Sequence, residues 1–465
     1  MFIGREKELA DLNNLYAQDS FQMFILYGRR RVGKTTLLSE FCKDKDTIFF
    51  AAEQDSDKGN LDKFSSLIFN HYEESTLSPF SDWEKAISFV AERQKNKRLV
   101  LVFDEFPYLA KNNRKILSVL QHLIDHKLQN GKLFIVLCGS YMSFMAKEVL
   151  GEKSPIFGRR TAQLKLKPFP YYVAVKFIDD CTAETKCKYY GAVGGTAQYL
   201  GRLQQKISFE ENICNLFLNP TGYLYEEPRL LLRQEIQEPA IYNAIIEAIA
   251  CGASKSNEIA TKTGEEQAKC LKYIQTLCEL GLVYKETPFG EKESSRKTIY
   301  GISDLMFRFW YKYVFNNRSI LETGGGKIVY DKKVKPDYNH YMGLVFERIC
   351  KEFLEEKNID DELPILFSSI GRWWGADPVQ KKEVEIDIIA KDDKKYLIGE
   401  CKWQNEKTDI GVLERLKGKA DIFSKNGREE TWYALFSKSG FTDALIEKSK
   451  QDSHVLLFDL KSIMG

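Results

Sequence analysis

"MFILYGRRRVGKTTLLSEF", residues 23–41, decides how the rest of the chain is read. A run of strand-forming residues leads without a spacer into Gly28-x-x-x-x-Gly33-Lys34-Thr35, and a helix-forming stretch follows at once. That spacing describes a phosphate cradle. The glycines let the loop turn so that its N–H groups and the next helix's N-terminus face one anion. Gly28, Arg29, Arg30, Arg31, Val32, Gly33, Lys34, Thr35 and Thr36 are the candidate nucleotide-binding residues. Lys34 is expected to reach the β and γ phosphates, and the Thr35 hydroxyl to ligate Mg²⁺. A chance match in a glycine-containing turn would not need the strand before it or the helix after it.

Working outward, "LVLVFDEFPYL" (99–109) is an aliphatic run ending on Asp104 and Glu105. Two acids at an isolated strand end would read as solvated charge. Downstream of a phosphate cradle, Asp104 is expected to help hold Mg²⁺ and Glu105 to polarise an attacking water. Further β-rich runs at 47–52, 133–139 and 162–167, separated by amphipathic stretches such as 81–96, predict a parallel sheet covered by helices over residues 1–168.

With 465 residues, 43% hydrophobic and 29% charged, the chain has room for about three domains. Its 68 basic and 66 acidic residues leave a formal charge of +2, so affinity for nucleic acid must come from local patches. Ten cysteines without a Cys-x-x-Cys pair, and an early charged segment in place of an apolar leader, predict reduced thiols and a cytoplasmic protein. No apolar run approaches the roughly 20 residues of a membrane helix, so no membrane partner is expected.

Residues 169–235 read as a helical lid on the sheet domain. Residues 236–318 read as a winged helix-turn-helix with an aromatic extension, 319–337 as a Gly-rich charged linker, and 338–465 as a separate α/β unit. In the last unit, Val384, Ile386 and Ile388 alternate with Glu383, Glu385 and Asp387, while Glu400 and Lys402 share one strand face. Asp387 and Glu400 are candidate metal ligands with oxygen donors suited to Mg²⁺. Lys402 is placed to orient or deprotonate a water for attack on a phosphodiester. Glu347, at the border of an apolar helix face, is a further candidate carboxylate. Ordinary acid and lysine alternation on a strand surface is the competing reading.

The order of "FIGREKEL", "GRRRVGKT", "LVFDEFPYL", "CGSYM", "IFGRR" and "GGTAQYL" resembles the archaeal-type AAA-like ATPases, close to the signalling STAND group, over roughly residues 1–235. The resemblance implies an additional-strand P-loop fold, ATP as the nucleotide, "FIGRE" near the adenine, and Ser140 sensing the γ-phosphate. It also implies Arg159, together with Arg160, as an arginine finger. Ala197 stands where that family usually has proline. "GLVFE", "RWWG", "EIDIIA" and "GECKW" look like the PD-(D/E)XK nuclease superfamily, a restriction-endonuclease-like α/β fold, over about residues 338–460; Ile386 replaces the proline of the superfamily's name. Some members of that superfamily bind nucleic acid without cutting it.

Other features carry less. The third helix of the winged segment begins with Glu265 and Glu266, which phosphates repel, although Lys269 and Lys272 follow; Lys292, Arg296 and Lys297 in the wing suit phosphate better. A packing or regulatory module is the equal alternative. His122 and His126 lack a third ligand at metal spacing and read as solvated. Phe307, Phe309, Trp310 and Tyr311 read as core in preference to a base-stacking platform. Trp373 and Trp374 lie in an expected turn, where a DNA-facing loop is an option. The combined expectation is an α/β ATPase whose nucleotide state controls a Mg²⁺-dependent nuclease-like domain acting on nucleic acid, DNA before RNA, with a homo-oligomer or protein partner left open. The alternative is a nucleotide-switched regulator or scaffold whose C-terminal domain binds without cleaving.

Overall fold

In the computed structural model, which describes residues 2–74, 78–94, 97–178, 181–236, 238–423 and 430–464, five aliphatic strands form one parallel sheet. They are β1 (Gln22–Tyr27), β2 (Thr47–Ala51), β3 (Val100–Asp104), β4 (Phe134–Gly139) and β5 (Ala162–Lys165), in the order β2-β3-β4-β1-β5. Each overlaps the run expected from sequence. Every residue of β3 and β4 is buried, as central parallel strands covered on both faces require. Leu101, Phe103, Ile135 and Leu137 face a layer containing Phe64 and Trp83; Val100, Val102, Phe134 and Val136 face Leu37, Leu38 and Phe41. β4 separates β3 from β1, so the acidic strand end is one strand removed from the phosphate loop. This unit comprises Met1–Pro168 and Thr196–Gln198.

The second unit comprises Phe169–Gly195 and Tyr199–Gly465. The segment expected as a lid, residues 169–235, falls in this unit apart from Thr196–Gln198. Its helix Ala183–Val193 lies against the helices Leu305–Tyr313 and Lys335–Ile359. Tyr338 and Tyr341 donate to the carbonyls of Lys188 (2.6 Å) and Gly191 (2.8 Å). Phe307, Phe309, Trp310 and Tyr311 are all buried here, which supports the core reading. Large aromatic surfaces need cover, and that demand outweighs closeness along the chain.

Helices Pro239–Ala250, Ser256–Thr263 and Gln267–Glu279 pack on one another and lead into the antiparallel hairpin β6 (Val283–Glu286) and β7 (Ile299–Ile302). The linker expected over 319–337 is instead helical: Arg318–Glu322, Gly326–Val329 and a π turn Tyr330–Val334 that runs directly into Lys335–Ile359. Val329, Tyr330, Val334 and Tyr338 are buried and form an apolar stripe at helical spacing. The glycine triplet marks only the break between two short helices, with Gly324 at φ 88°.

The C-terminal sheet has the order β12-β11-β10-β9-β8, built from β8 (Ser369–Ala376), β9 (Glu383–Asp392), β10 (Lys395–Lys402), β11 (Glu430–Ser437) and β12 (Val455–Asp459). β9 pairs antiparallel with both β8 and β10, while β10, β11 and β12 run parallel. "GRWWG" is not the turn expected; it lies inside β8, whose register shifts between Gly371 and Trp373. Glycine in a strand here marks a bulge. Trp373 packs against Phe423, with ring centroids 5.5 Å apart. The expected ends of the helices over 81–96 and 412–425 fall on 95–96 and 424–425, outside the described residues. No described helix is long and apolar enough to cross a membrane.

Candidate functional site

The phosphate loop joins β1 to the helix Lys34–Cys42. Gly33 has φ 97°, and a Cβ on Gly28 would lie 2.4 Å from the Leu166 carbonyl oxygen, so both positions require glycine. Arg31, also in the loop, is held at φ 72°. Lys34 is buried, and its Nζ donates to the carbonyls of Gly28 (2.8 Å) and Arg29 (3.0 Å). Thr35 and Thr36 are exposed in the first turn of the helix, where its N–H groups and dipole favour an anion.

Asp104 is buried at the end of β3 and accepts a hydrogen bond from Thr35 Oγ1 at 2.9 Å. A hydroxyl and a carboxylate so placed are hard oxygen donors that fit Mg²⁺, which takes its remaining ligands from water and phosphate. Glu105 caps the following helix at φ 50°, an uncommon backbone state for a residue with a side chain. Its two carboxylate oxygens accept from Ser140 Oγ at 2.7 and 2.6 Å. Ser140 thus holds Glu105. Arg159 forms a two-pronged pair with Asp125, Nε to Oδ1 and Nη2 to Oδ2 both 2.7 Å. It is engaged there and not with the phosphate loop. The neighbouring Arg160 is the arginine whose charge is felt at Tyr27, where burial raises the phenol's pKa and Arg160 opposes the rise.

One loop support, Arg5, was not singled out from the sequence. Arg5 of "FIGRE" is buried, and its Nη2 donates to the carbonyls of Lys167 (2.6 Å) and Val32 (3.3 Å), which braces the loop from behind. Arg30 Nη2 donates to the Tyr108 hydroxyl at 2.8 Å. Gln198 N donates to the Arg31 carbonyl at 3.3 Å, and Ala197 lies beside Gly33. A buried arginine at the N-cap of the first helix has no local signal; only its partners reveal it.

The C-terminal candidates meet where β9 and β10 part. Their pairing ends at Gly399 and Ile388; beyond it the Asp387 side chain takes over, accepting from Cys401 N at 2.8 Å. Glu400 is buried and accepts from Lys402 Nζ at 2.7 Å. Burial and the Glu400 charge hold the Asp387 carboxyl above its usual range. Burial and the Asp387 charge push Glu347 up to about 7, against the opposing Arg372, whose Nε lies 3.9 Å away. Burial works to lower the Lys402 pKa, but Glu400 outweighs it and the net shift is upward.

Asp387, Glu400, Lys402 and Glu347 therefore share one electrostatic neighbourhood. Among the described residues, no three His, Cys, Asp or Glu side chains are grouped so as to hold a metal. Asp387 and Glu400 would supply two oxygen ligands, with water and phosphate completing the shell. Lys419, on the helix Ile410–Phe423, also donates to Glu400, and the sequence reading missed it. Its signal was a lysine between Leu416 and Ala420 on a buried face. His122 and His126 sit with rings 4.6 Å apart, and His122 lies 3.8 Å from Glu84. Lys297 pairs with Glu291 at 2.8 Å in the hairpin connection, and Lys269 in the helix Gln267–Glu279 pairs with Glu265 at 3.0 Å.

Comparison with known proteins adds context. The sequence pattern of an ATPase domain predominantly from Archaea matches residues 2–203. A pattern described as archaeal and bacterial proteins of unknown function matches residues 310–412. An uncharacterized protein of Methanocaldococcus jannaschii is 33% identical over 467 aligned residues, covering 99% of both chains. An uncharacterized ATP-binding protein of the same organism is 44% identical over 45 residues, 10% of this chain and 76% of its own. Among solved structures, a Walker-type ATPase of Pyrococcus abyssi aligns with 67% of this chain and 96% of its own, at 17% identity and a TM-score of 0.50, a likeness of fold.

Proposed function

We propose a function from one premise: the chain belongs to the family of its full-length Methanocaldococcus jannaschii relative and opens with an archaeal-type P-loop ATPase domain. ATP is held by Gly28 to Thr36, with Mg²⁺ at Thr35 and Asp104. Glu105, kept in place by Ser140, orients the attacking water. Arg160, in place of Arg159, is the cation that faces the phosphates. The nucleotide state controls the C-terminal α/β domain, which acts on nucleic acid, DNA before RNA. Its fold is restriction-endonuclease-like, and the three helices with their hairpin form a winged helix-turn-helix whose exposed Lys292 and Arg296 meet phosphate.

The observation that carries the C-terminal reading is the contact between Glu400 and Lys402 beside Asp387, at the point where two strands part. Mg²⁺ bound by Asp387 and Glu400 supplies Lewis-acid and water-activating chemistry for phosphodiester hydrolysis. Asp387 is oriented by the Cys401 N–H, and Lys402, its pKa raised by Glu400, keeps a proton-bearing ammonium at the mouth. A second reading, a nucleotide-switched regulator that binds without cutting, is favoured by Glu400 being satisfied by two ammoniums.

Incubating wild type and Asp387→Ala with linear, circular and single-stranded DNA and with RNA, in Mg²⁺ or Mn²⁺, with and without ATP, separates them. Cleavage by wild type alone supports the nuclease. No cleavage with intact ATP turnover supports the regulator.

A further inference from the structure

Lys419 is a charged group of the C-terminal site that no motif supplied. Its Nζ donates to Glu400 Oε2 at 2.7 Å and Oε1 at 3.0 Å, while Lys402 Nζ donates to Oε1 at 2.7 Å. The Glu400 side chain is 8% exposed, against 29% for Lys402 and 27% for Lys419. The acid is the floor and the two ammoniums are the rim.

One well-bonded ammonium is enough to compensate a buried carboxylate, and adding a second charge to the site incurs a further desolvation cost. Lys419 bears that cost on a helix whose Val412, Leu413, Leu416 and Ala420 are buried in the C-terminal core. Each ammonium carries three N–H donors and accepts nothing, so the pair presents a surplus of donors around Glu400, with Asp387 the other acid that feels both charges. The partner that matches carries two adjacent acceptor oxygens. A phosphodiester has those two non-bridging oxygens.

Resting on the reading that this site takes nucleic acid, we propose that Lys402 and Lys419 form a paired ammonium clamp for one backbone phosphate. Glu400 holds the pair in place, and the clamp binds without a divalent cation. No bond is made or broken. The contact is to the backbone, so it carries no base preference.

The test is fluorescence anisotropy with full-length protein in EDTA, using labelled single-stranded and duplex oligonucleotides of mixed sequence over a range of salt. Wild type is expected to bind. Lys419→Ala and Lys402→Ala should each weaken binding about 5- to 10-fold. Each should also flatten the dependence of log K on log salt by about 0.7 for single strands and 0.9 for duplex, the signature of one lost phosphate contact. Lys419→Arg should restore the slope. Should Lys419→Ala fail to fold, Lys419→Gln keeps a hydrogen bond to Glu400 without the charge and should show the same loss.

If Lys419→Gln binds with wild-type affinity and slope while Lys402→Ala is weakened, the clamp is overturned and the nucleic-acid reading survives. If wild type binds neither oligonucleotide, both fall together.

Discussion

Replacing Ser140 by alanine asks whether this serine serves Glu105 or the nucleotide. Its Oγ lies 2.7 and 2.6 Å from the two carboxylate oxygens of Glu105, and the residue is 1% exposed. A hydrogen bond to a charged group contributes roughly 1.5–3 kcal/mol, and the low end applies because half-buried Glu105 can recruit water in its place. About 1.4 kcal/mol is tenfold in rate. Ser140→Ala should therefore lower the kcat of ATP hydrolysis about tenfold by this arithmetic and leave nucleotide Kd unchanged. Glu105→Gln should cost more, on the order of 10²–10⁴. Because the serine acts through the glutamate, the double variant should be no slower than Glu105→Gln alone. Steady-state phosphate release and titration calorimetry measure the two quantities. A full tenfold loss on the Glu105→Gln background, or weakened ATP binding in Ser140→Ala, would refute the reasoning and return Ser140 to direct contact with the γ-phosphate.

Lys34→Ala should weaken ATP binding about 100-fold or more, since a charged donor at the phosphates is lost; calorimetry showing wild-type affinity would sink the phosphate-loop assignment. Gly28→Ala drives a Cβ to 2.4 Å from the Leu166 carbonyl oxygen, so it should lower both the melting temperature and ATP affinity, with a cost of about 1–3 kcal/mol. Equal melting curves would show that the loop relaxes freely. Glu347, pushed up to about 7 in the fold against 4.5 for a free glutamate, binds its proton more tightly folded than unfolded. Its contribution to stability is present below about 4.5 and is lost as pH rises through about 7. Melts in EDTA across that window should fall more steeply for wild type than for Glu347→Gln, and parallel curves would contradict the burial ascribed to it.

The parallel sheet was legible because its strands are short apolar runs and the phosphate loop has fixed spacing between a strand and a helix. Lys34, Thr35 and Asp104 could be singled out from the string because each expected role depends on residue type at a set place. The surroundings of Arg159 could not be read that way. Two adjacent arginines look alike in a string of letters, and only Asp125, distant along the chain, decides which is occupied. The segment 319–337 was misread because glycine and charge signal a break, while the stripe Val329, Val334 and Tyr338 is apparent only when the short helices are joined to the long one. "GRWWG" failed for a related reason: Gly371 and Gly375 mark a bulged edge strand as readily as a turn. Lys419 is a long-range partner, and no local pattern pairs it with Glu400.

The hairpin connection does more than close β6 on β7. Phe289 N donates to the Arg372 carbonyl at 2.8 Å, its ring lies over Gly371 and 6.4 Å from the Phe423 ring, and Glu286 feels the charge of Arg372. A fragment cut at residue 338, where sequence alone would place the domain edge, would start inside a helix that begins at Lys335 and would strip Phe289 from its seat. The exposed apolar surface invites aggregation, and Glu347 would lose the charges of Glu286 and Arg308 while keeping those of Asp387 and Arg372. Dissection of this protein by limited proteolysis or recombinant expression therefore has to treat the hairpin and the C-terminal sheet as one piece.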